Sequence, residues 1–295
     1  MSAATAIPMQ GTPVSEYTLA LRRVLRRPLT ILCLFILLGV GAASLLAPWI
    51  APYPYDAIDL KLGSTAPSAA HWFGTDVLGR DLFSRVLHGG QISLAVGIVG
   101  SLVSLLIGVL YGAIAGYKGG RVDELMMRFV DLLYSLPYLF LVIILLVFFS
   151  NSILMLFVGL GMVQWLTMAR IVRGQVLALR NAEFVQAARL FGTRTAGIIT
   201  RHLLPNMTGP IVVYGTLTVP HVILQEAFLS FLGLGVQPPR ASWGTLISDG
   251  AGLMSLFPWL VFFPAATLAA VLFSLNYLGD SLQEVLDPRS QRGSK

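Results

Sequence analysis

Long apolar runs alternate with short polar segments along most of this 295-residue chain. Six of these runs are long enough to cross about 30 Å of hydrocarbon as helices. They cover residues 29–47, 94–116, 132–149, 153–169, 211–232 and 260–278. The third and fourth runs are separated by only residues 150–152, so we expect a tight hairpin there. The pattern predicts an all-α membrane protein with six transmembrane helices.

Basic residues are distributed unevenly among the segments that join these runs. If the N-terminus is cytoplasmic, most Lys and Arg residues fall in inner segments, and the largest group lies between the fourth and fifth runs. Short cytoplasmic segments of membrane proteins are enriched in Lys and Arg. The distribution therefore predicts that both the N- and the C-terminus are cytoplasmic.

The composition agrees with a membrane protein. Hydrophobic residues make up 56% of the chain and charged residues 12%, whereas soluble domains carry roughly a quarter charged residues. The net charge of +6 follows from the inner basic segments and needs no nucleic-acid partner. The first run lies behind a 28-residue polar tail and is long, so we do not expect a cleaved signal peptide. The single cysteine, Cys33, permits no disulfide within the chain.

The polar stretch 183–206, between the fourth and fifth runs, carries helix-forming residues that an ordinary loop does not need. Four apolar residues follow the i, i+3, i+4, i+7 spacing of one helix face: Phe184, Ala187, Ala188 and Phe191. Gly192 is placed to end this helix in a left-handed cap. Leu204 and Pro205 then begin the return to the membrane. The stretch predicts a short amphipathic helix, a turn and a re-entry.

This stretch resembles the cytoplasmic coupling loop of binding-protein-dependent ABC importers, whose pattern is Glu-Ala-Ala, three residues, Gly, nine residues, Ile-x-Leu-Pro. The residues in register are Gln186-Ala187-Ala188, Gly192 and Leu204-Pro205, with Gln186 in place of Glu and His202 in place of Ile. The resemblance implies that this loop couples a membrane pore to a separate ATPase. The small alanines allow close approach of a partner, and Phe184 and Phe191 are expected to anchor in its cleft. The alternative is a helix lying on the lipid surface, which usually buries larger side chains than Ala.

Three further stretches resemble the oligopeptide and dipeptide branch of these importers. They are HWFGTDVLGRDLFSR at 71–85, DLLYSLP at 131–137, and EAFLSFLGLGVQPP at 226–239 with Ser-Trp-Gly at 242–244. The chain is thus similar to the second permease subunit of that branch. The resemblance implies a MetI-like type I permease core at 92–290 with its coupling loop at 170–209. Residues 1–28 and 291–295 would be terminal tails, and 29–91 the first transmembrane helix with its external segment.

The external segment holds the side chains that most suggest a metal site. Leu82, Phe83, Val86 and Leu87 recur at helical spacing, so we expect a short amphipathic helix before the second run, with Asp81 and Arg85 as an i,i+4 ion pair. Four residues here could suggest a metal site: His71, Asp76, Asp81 and His88. Their spacing fits no zinc or iron pattern, so we predict no metal site.

Proline and one acidic residue interrupt the predicted spans. Pro137, Pro220 and Pro264 should kink the third, fifth and sixth. Glu226 is the only carboxylate well inside a span, where an ionisable group normally faces a cavity or a partner. Two roles for Glu226 stay open: a place on the translocation path, or a structural hydrogen bond to a partner subunit.

No sequence motif for catalysis is present. None of the three lysines belongs to a phosphate-binding loop of the form G-x-x-x-x-G-K-[ST], and neither H-E-x-x-H nor G-x-S-x-G occurs. We therefore expect no catalytic residues and no cofactor in this chain. ATP and Mg²⁺ would be bound by partner ATPase subunits.

Together these features predict one half of a heterodimeric import pore for dipeptides or oligopeptides in a bacterial cell membrane. The expected partners are a homologous second permease, two ABC ATPases, an extracytoplasmic substrate-binding protein, the peptide and membrane lipid. Alternatives are an importer of another solute, such as nickel or glutathione, and a secondary transporter driven by an ion gradient. The latter normally carries inverted repeats and paired intramembrane charges, which this sequence lacks. An intramembrane enzyme would need a nucleophile with a base or a set of metal ligands, and neither is recognisable.

Overall fold

The computed structural model describes residues 24, 26–148 and 153–286, and this part of the chain is mostly helical, with a long non-helical segment at 51–81. Its main helices are α1 (Pro28–Leu45), α2 (Leu82–Lys118), α3 (Gly120–Ser135), α4 (Tyr138–Phe148), α5 (Ile153–Leu179), α6 (Glu183–Leu190), α7 (Thr208–Phe231), α8 (Trp243–Ala251) and α9 (Trp259–Leu286). Shorter helical pieces are Ala47–Ile50, Thr195–Gly197 and Leu204–Asn206, with a π-helical turn at Ile198–Leu203. Within these residues, β-pairing is limited to an isolated bridge between Thr75 and Asp81.

Four helices are long and apolar enough to cross a membrane: α1, α2, α7 and α9. They contain most of the first, second, fifth and sixth predicted runs. The third and fourth runs correspond to α4 with the end of α3, and to the first part of α5. The hairpin predicted at 150–152 lies outside the described residues. The helical fold class is thus confirmed, and four of the six predicted spans correspond to helices with the length and composition to cross a membrane.

The start of α2 differs from the prediction. A separate outer helix before the second span was expected, but α2 runs unbroken from Leu82. The predicted ion pair between Asp81 and Arg85 is wrong. Asp81 instead caps α2, and its carboxylate accepts from the Ser84 amide at 2.8 Å, because the first N–H groups of a helix need an acceptor. Arg85 donates to Asp76 at 2.7 Å.

Pro137 breaks the predicted third span rather than kinking it. Helix α3 ends at Ser135, and Leu136 has extended backbone angles of φ −80° and ψ 135°. The ring of a proline disfavours the helical conformation of the residue before it. Pro220 and Pro264 lie inside α7 and α9, whose helices continue past them.

Helix α2 is the centre of the fold and packs along the whole of α5. Two glycines allow the close approach: a Cβ added at Gly108 would lie 2.5 Å from the Met168 Cβ, and one added at Gly112 would lie 2.3 Å from the Ala169 carbonyl oxygen. Helices α1, α7 and α8 also pack on α2. Because α2 contacts α1 near the start of the described chain and α7 and α8 later in it, α2 connects the early and the late helices of the bundle.

The end of the bundle that carries residues 183–206, called here the loop end, also holds both ends of the described chain. The guanidinium of Arg27 makes two hydrogen bonds with the Glu284 carboxylate, at 2.6 and 2.7 Å. A Cβ added at Gly209, near the start of α7, would lie 3.9 Å from the Leu286 Cβ. The start of α1 and the end of α9 are therefore on the same side as α6.

Candidate coupling site

Helix α6 is fastened to the loop end of the bundle by one buried face. The Val185 side chain is fully buried and Ala188 is 6% exposed. Both belong to an apolar cluster, called here the loop-end cluster, that also contains these residues: Val109, Ala113, Met168, Val172, Val176, Ile198, Ile199, Leu203 and Met207. The cluster joins α2, α5 and the segment after α6. Val185 and Ala188 thus pack α6 against two helices of the bundle.

The apolar stripe predicted from sequence is divided between two faces of α6. Ala188 points into the loop-end cluster, whereas Phe184, Ala187 and Phe191 are exposed. Phe191 is 88% exposed and its neighbour Leu190 is 89% exposed. Sequence analysis missed both Leu190 and the buried anchor Val185. The spacing of Val185 and Ala188, i and i+3, contained the signal, but it was obscured by the longer Phe-Ala-Ala-Phe series.

The left-handed cap predicted at Gly192 is confirmed. Gly192 has φ +75°, its amide donates to the Arg189 carbonyl at 3.0 Å, and the Thr193 amide donates to the Ala188 carbonyl at 3.0 Å. These two bonds form a Schellman motif, which satisfies carbonyls at the helix end. The motif fixes where α6 ends and how the chain leaves it.

The return from α6 is packed rather than loose. Ile198 and Leu203 of the π-helical turn are buried in the loop-end cluster, and Leu204 packs against the same cluster. Pro205 is exposed. The wide turn immediately precedes this proline, which has no N–H to donate to the carbonyl four residues earlier. Leu204 therefore helps to hold the loop against the bundle, whereas Pro205 lies on the surface of the loop.

Polar contacts fix α6 against the ends of α2 and α5. The Arg189 Nε donates to the Tyr117 hydroxyl at 3.2 Å, and its guanidinium lies over the Tyr117 ring at 5.0 Å. The Gln186 amide donates to the Asn181 carbonyl at 2.8 Å. Because Gln186 is a donor here, a glutamate in its place would lose that bond. Helix α6 is thus held to the bundle on its sides as well as on its buried face.

Helix α3 is attached to α5 by two ion pairs next to this site. Arg173 makes a forked pair with Asp123, in which the Nη2–Oδ2 distance is 2.7 Å. The Arg170 Nη2 donates to Asp131 at 2.6 Å. Both arginines lie in the predicted coupling region 170–209. They tie the loop end of α5 to α3.

The outer surface of α6 is an exposed apolar patch, and the opposite face of this helix is packed in the loop-end cluster. Phe184, Leu190 and Phe191 are exposed, although each is a large apolar side chain, and exposed apolar patches of this kind mark binding surfaces. A short helix that presents aromatic side chains is suited to insertion into a groove of a partner. The arrangement can receive a mechanical displacement and pass it to α2 and α5.

Glu226 lies in α7 toward the opposite end of the bundle and is fully buried within this chain. Its Oε1 accepts from the Ser230 hydroxyl at 2.6 Å, and that hydroxyl lies 3.4 Å from the Ser242 hydroxyl. Ser242 caps α8 with a capping box. The Glu226 Oε2 has no hydrogen-bond partner among the described residues. Within the single chain Glu226 therefore borders no open surface and supports the attachment of α8.

The four residues weighed for a metal site have other contacts. The His71 Nδ1 lies 2.9 Å from the Asp81 carboxylate, and the His88 Nδ1 lies 3.0 Å from the Ser84 carbonyl oxygen. Asp76 accepts from Arg80 and Arg85 at 2.7 Å each. In the described part of the chain these side chains form no cluster of three metal-ligand types.

Comparison with known proteins gives two family matches. The family described as binding-protein-dependent transport system inner membrane component matches residues 104–292. The N-terminal TM domain of oligopeptide transport permease C matches residues 15–67.

Individual proteins match over most of the chain. The oligopeptide transport system permease protein OppC of Haemophilus influenzae is 47% identical over 92% of this chain and 88% of its own. The dipeptide transport system permease protein DppC of Bacillus subtilis is 47% identical over 95% of this chain and 88% of its own. A solved structure of the inward-facing MetNI methionine ABC transporter aligns with a TM-score of 0.56 at 16% identity, covering 67% of this chain and 94% of that one. At that identity the likeness concerns the fold.

Proposed function

Because this chain belongs to the family of binding-protein-dependent transport system inner membrane components, we propose that it forms half of the membrane pore of an ATP-driven importer of dipeptides or oligopeptides. Relatives named as oligopeptide and dipeptide transport permeases match it over more than nine tenths of its length. The observation that carries the proposal is the way α6 packs on the bundle: Val185 is buried in the loop-end cluster, whereas Phe191 is 88% exposed.

The proposed mechanism begins when a partner ATPase moves the exposed face of α6. Phe184, Ala187, Leu190 and Phe191 would sit in a cleft of that ATPase. Because Val185 and Ala188 are packed against α2 and α5, α6 cannot shift without displacing the ends of those helices. Packed interfaces pass from one arrangement to another instead of deforming continuously. The pore would thus open alternately outward and inward as ATP is bound and hydrolysed.

The partners proposed for this chain are a homologous second permease, two ABC ATPases and an extracytoplasmic binding protein. The family description, a component of a binding-protein-dependent transport system, supports such an assembly. ATP and Mg²⁺ would be held by the ATPases, because this sequence has no phosphate-binding loop. The chain would contribute half of the pore and one coupling loop.

The proposed topology has six spans and cytoplasmic termini, with a tail at 1–28, an external segment within 29–91 and the core at 92–290. The ion pair of Arg27 with Glu284 supports a common side for the two termini. The contact between Gly209 and Leu286 supports the same side for α6. The many arginines of 170–209 favour the cytoplasm for that side.

Reconstitution of the complete transporter tests the proposal. The chain would be co-expressed with the second permease and the ATPases of its operon, purified, and placed in proteoliposomes with the cognate binding protein. We expect uptake of a radiolabelled peptide that requires ATP and the binding protein. Uptake driven by a proton or sodium gradient without ATP would contradict it. ATP-driven uptake of nickel or of glutathione alone would assign another solute.

A further inference from the structure

A cavity of about 390 Å³ opens at the end of the bundle opposite to α6. It lies between the first turns of α2, the first part of α5 and the segment that precedes α8. The side chains that line it and bear on its chemistry are Tyr55, Arg85, His88, Gln91, Phe157 and Arg240. Cavities of roughly 300–1,000 Å³ are the usual size of small-ligand sites. Its position corresponds to the external side in the proposed topology.

The cavity combines several hydrogen-bond donors with an absence of carboxylates. No Asp or Glu lines it. Within the described part of the chain, the Tyr55 hydroxyl, the Gln91 amide and the Arg240 guanidinium make no side-chain hydrogen bond or ion pair. The His88 ring lies against Tyr55, with 4.8 Å between centroids. Converging donors, one of them a guanidinium, with no carboxylate beside them favour an anionic, hydrogen-bond-accepting ligand.

Arg85 forms the buried wall of this cavity and is held rigidly. Its side chain is 4% exposed, and its Nη1 donates to Asp76 at 2.7 Å. The same Asp76 oxygen also accepts from Arg80 at 2.7 Å, and Asp249 is 3.7 Å from the Arg85 Nη2. The Arg85 Nε has no partner within the described chain. Asp76 and Asp249 together balance the charges of Arg80 and Arg85, so the unbalanced positive charge of the cavity lining is that of Arg240.

We propose that this cavity, called here the basic cavity, is a subsite that receives the carboxylate of the solute as it leaves the binding protein. The inference rests on the proposed function, because every unmodified peptide ends in a carboxylate. Arg240 and Gln91 would donate to the carboxylate, since neither side chain is engaged in another hydrogen bond or ion pair within the described chain. Ile92 and Phe157 supply an apolar wall for the adjoining side chain.

The exposure of Arg240 suits a site that binds the solute weakly and releases it, as transport requires. A charge-assisted hydrogen bond to an exposed arginine is screened by water, so it is weaker than a buried one. A transported solute must bind well enough to enter the pore and weakly enough to leave it. A carboxylate held at the wall formed by Arg85 would also orient the peptide with one end toward the bundle.

Arg240→Gln tests the subsite in the complete reconstituted transporter, because this side chain is exposed and makes no hydrogen bond or ion pair within the described chain. With binding protein preloaded with trialanine, we expect the maximal uptake rate to fall by about tenfold, the equivalent of one charge-assisted hydrogen bond. The concentration of loaded binding protein that gives half-maximal uptake should stay unchanged. Arg240→Lys should restore most of the rate. Gln91→Glu, which adds a carboxylate to the cavity, should lower it at least as much.

Lys61→Gln is the matched control, because it removes an exposed positive charge outside the basic cavity and should leave uptake unchanged. Saturation-transfer NMR on the complex in nanodiscs, without binding protein, tests the ligand chemistry. We expect signal transfer to trialanine, weaker transfer to trialanine amide, and loss of the difference in Arg240→Gln.

Four outcomes would overturn the subsite: wild-type uptake in Arg240→Gln, equal transfer to the acid and the amide, reduced yield of the complex, or a defect confined to membranes with anionic lipid. Reduced yield would make the basic cavity a subunit interface, and dependence on lipid would make it a headgroup site. If the wild-type transporter takes up no peptide, the proposed function fails instead. The two failures are therefore distinguishable.

Discussion

Arg189 of helix α6 lies over the ring of Tyr117 at the end of helix α2, with 5.0 Å between the guanidinium carbon and the ring centroid. The Arg189 Nε also donates to the Tyr117 hydroxyl at 3.2 Å. This contact joins the proposed docking helix directly to the central helix of the bundle. Because α2 continues to the opposite end at Leu82, a displacement received at Arg189 has a continuous helical path across the protein.

Arg189→Ala should loosen α6 from α2. A cation–π contact of this kind contributes about 0.5–1 kcal/mol at exposed sites, so we expect backbone amides of 183–191 to exchange hydrogen severalfold faster. Hydrogen–deuterium exchange with mass spectrometry measures this. Arg189→Lys keeps the charge and should be intermediate. Unchanged exchange in Arg189→Ala would mean that the buried face alone holds the helix.

Gly192→Val should misdirect the end of α6. A Cβ at this position meets no atom within 4 Å, so the cost comes from φ +75° and amounts to roughly 1 kcal/mol or more, most for a β-branched residue. We expect inserted protein and normal docking of the binding protein, but weaker stimulation of ATP hydrolysis. Stimulation is measured as the ratio of ATPase rates with and without loaded binding protein.

Gly192→Asn is the matched control, because asparagine tolerates the left-handed conformation better than other residues with a Cβ. It should retain most of the stimulation. A normal ratio in Gly192→Val, or an equal loss in both variants, would contradict a role for the left-handed cap.

The sequence predicted the course of the backbone better than it predicted which face of each helix is buried. Gly192 was predictable because a left-handed residue at a helix end follows from local chemistry. The inward direction of Ala188 was not, since a stripe that includes Phe184 and Phe191 satisfies helical spacing equally well. Only the packing of Val185 against α2 and α5 settles which face is buried. The pairing of Arg85 with Asp76 was likewise invisible, because turn geometry decides it.

Glu226→Leu should loosen α8. It removes the acceptor of Ser230, which lies next to the Ser242 cap of α8. Loss of one such hydrogen bond costs about 1 kcal/mol, so we expect severalfold faster exchange over 242–251 and lower uptake or complex yield. Glu226→Gln keeps an acceptor for Ser230 and should preserve α8. Wild-type exchange and uptake in Glu226→Leu would remove this residue from the support of α8.

The purified chain alone should show no ATP hydrolysis, because its sequence has no phosphate-binding loop. The measurement is phosphate release by the single subunit, compared with the assembled transporter at equal concentration. Release that persists through further purification and scales with this chain would contradict the division of labour between pore and ATPase.

In the proposed mechanism, the exposed face of α6 couples the ATPase to the pore. This coupling is tested most directly by comparing Ala187→Glu with Gln186→Glu in the reconstituted transporter. Both place the same new carboxylate on adjacent exposed positions, but only Ala187 lies on the face expected to enter the ATPase cleft. The measurement is ATPase stimulation by loaded binding protein together with peptide uptake. Gln186→Glu loses the bond to the Asn181 carbonyl but supplies the glutamate of the importer pattern, so we predict that it retains most of both. We predict that Ala187→Glu loses both or releases the ATPases from the complex. Wild-type stimulation and uptake in Ala187→Glu would contradict the assignment of this loop as the coupling element.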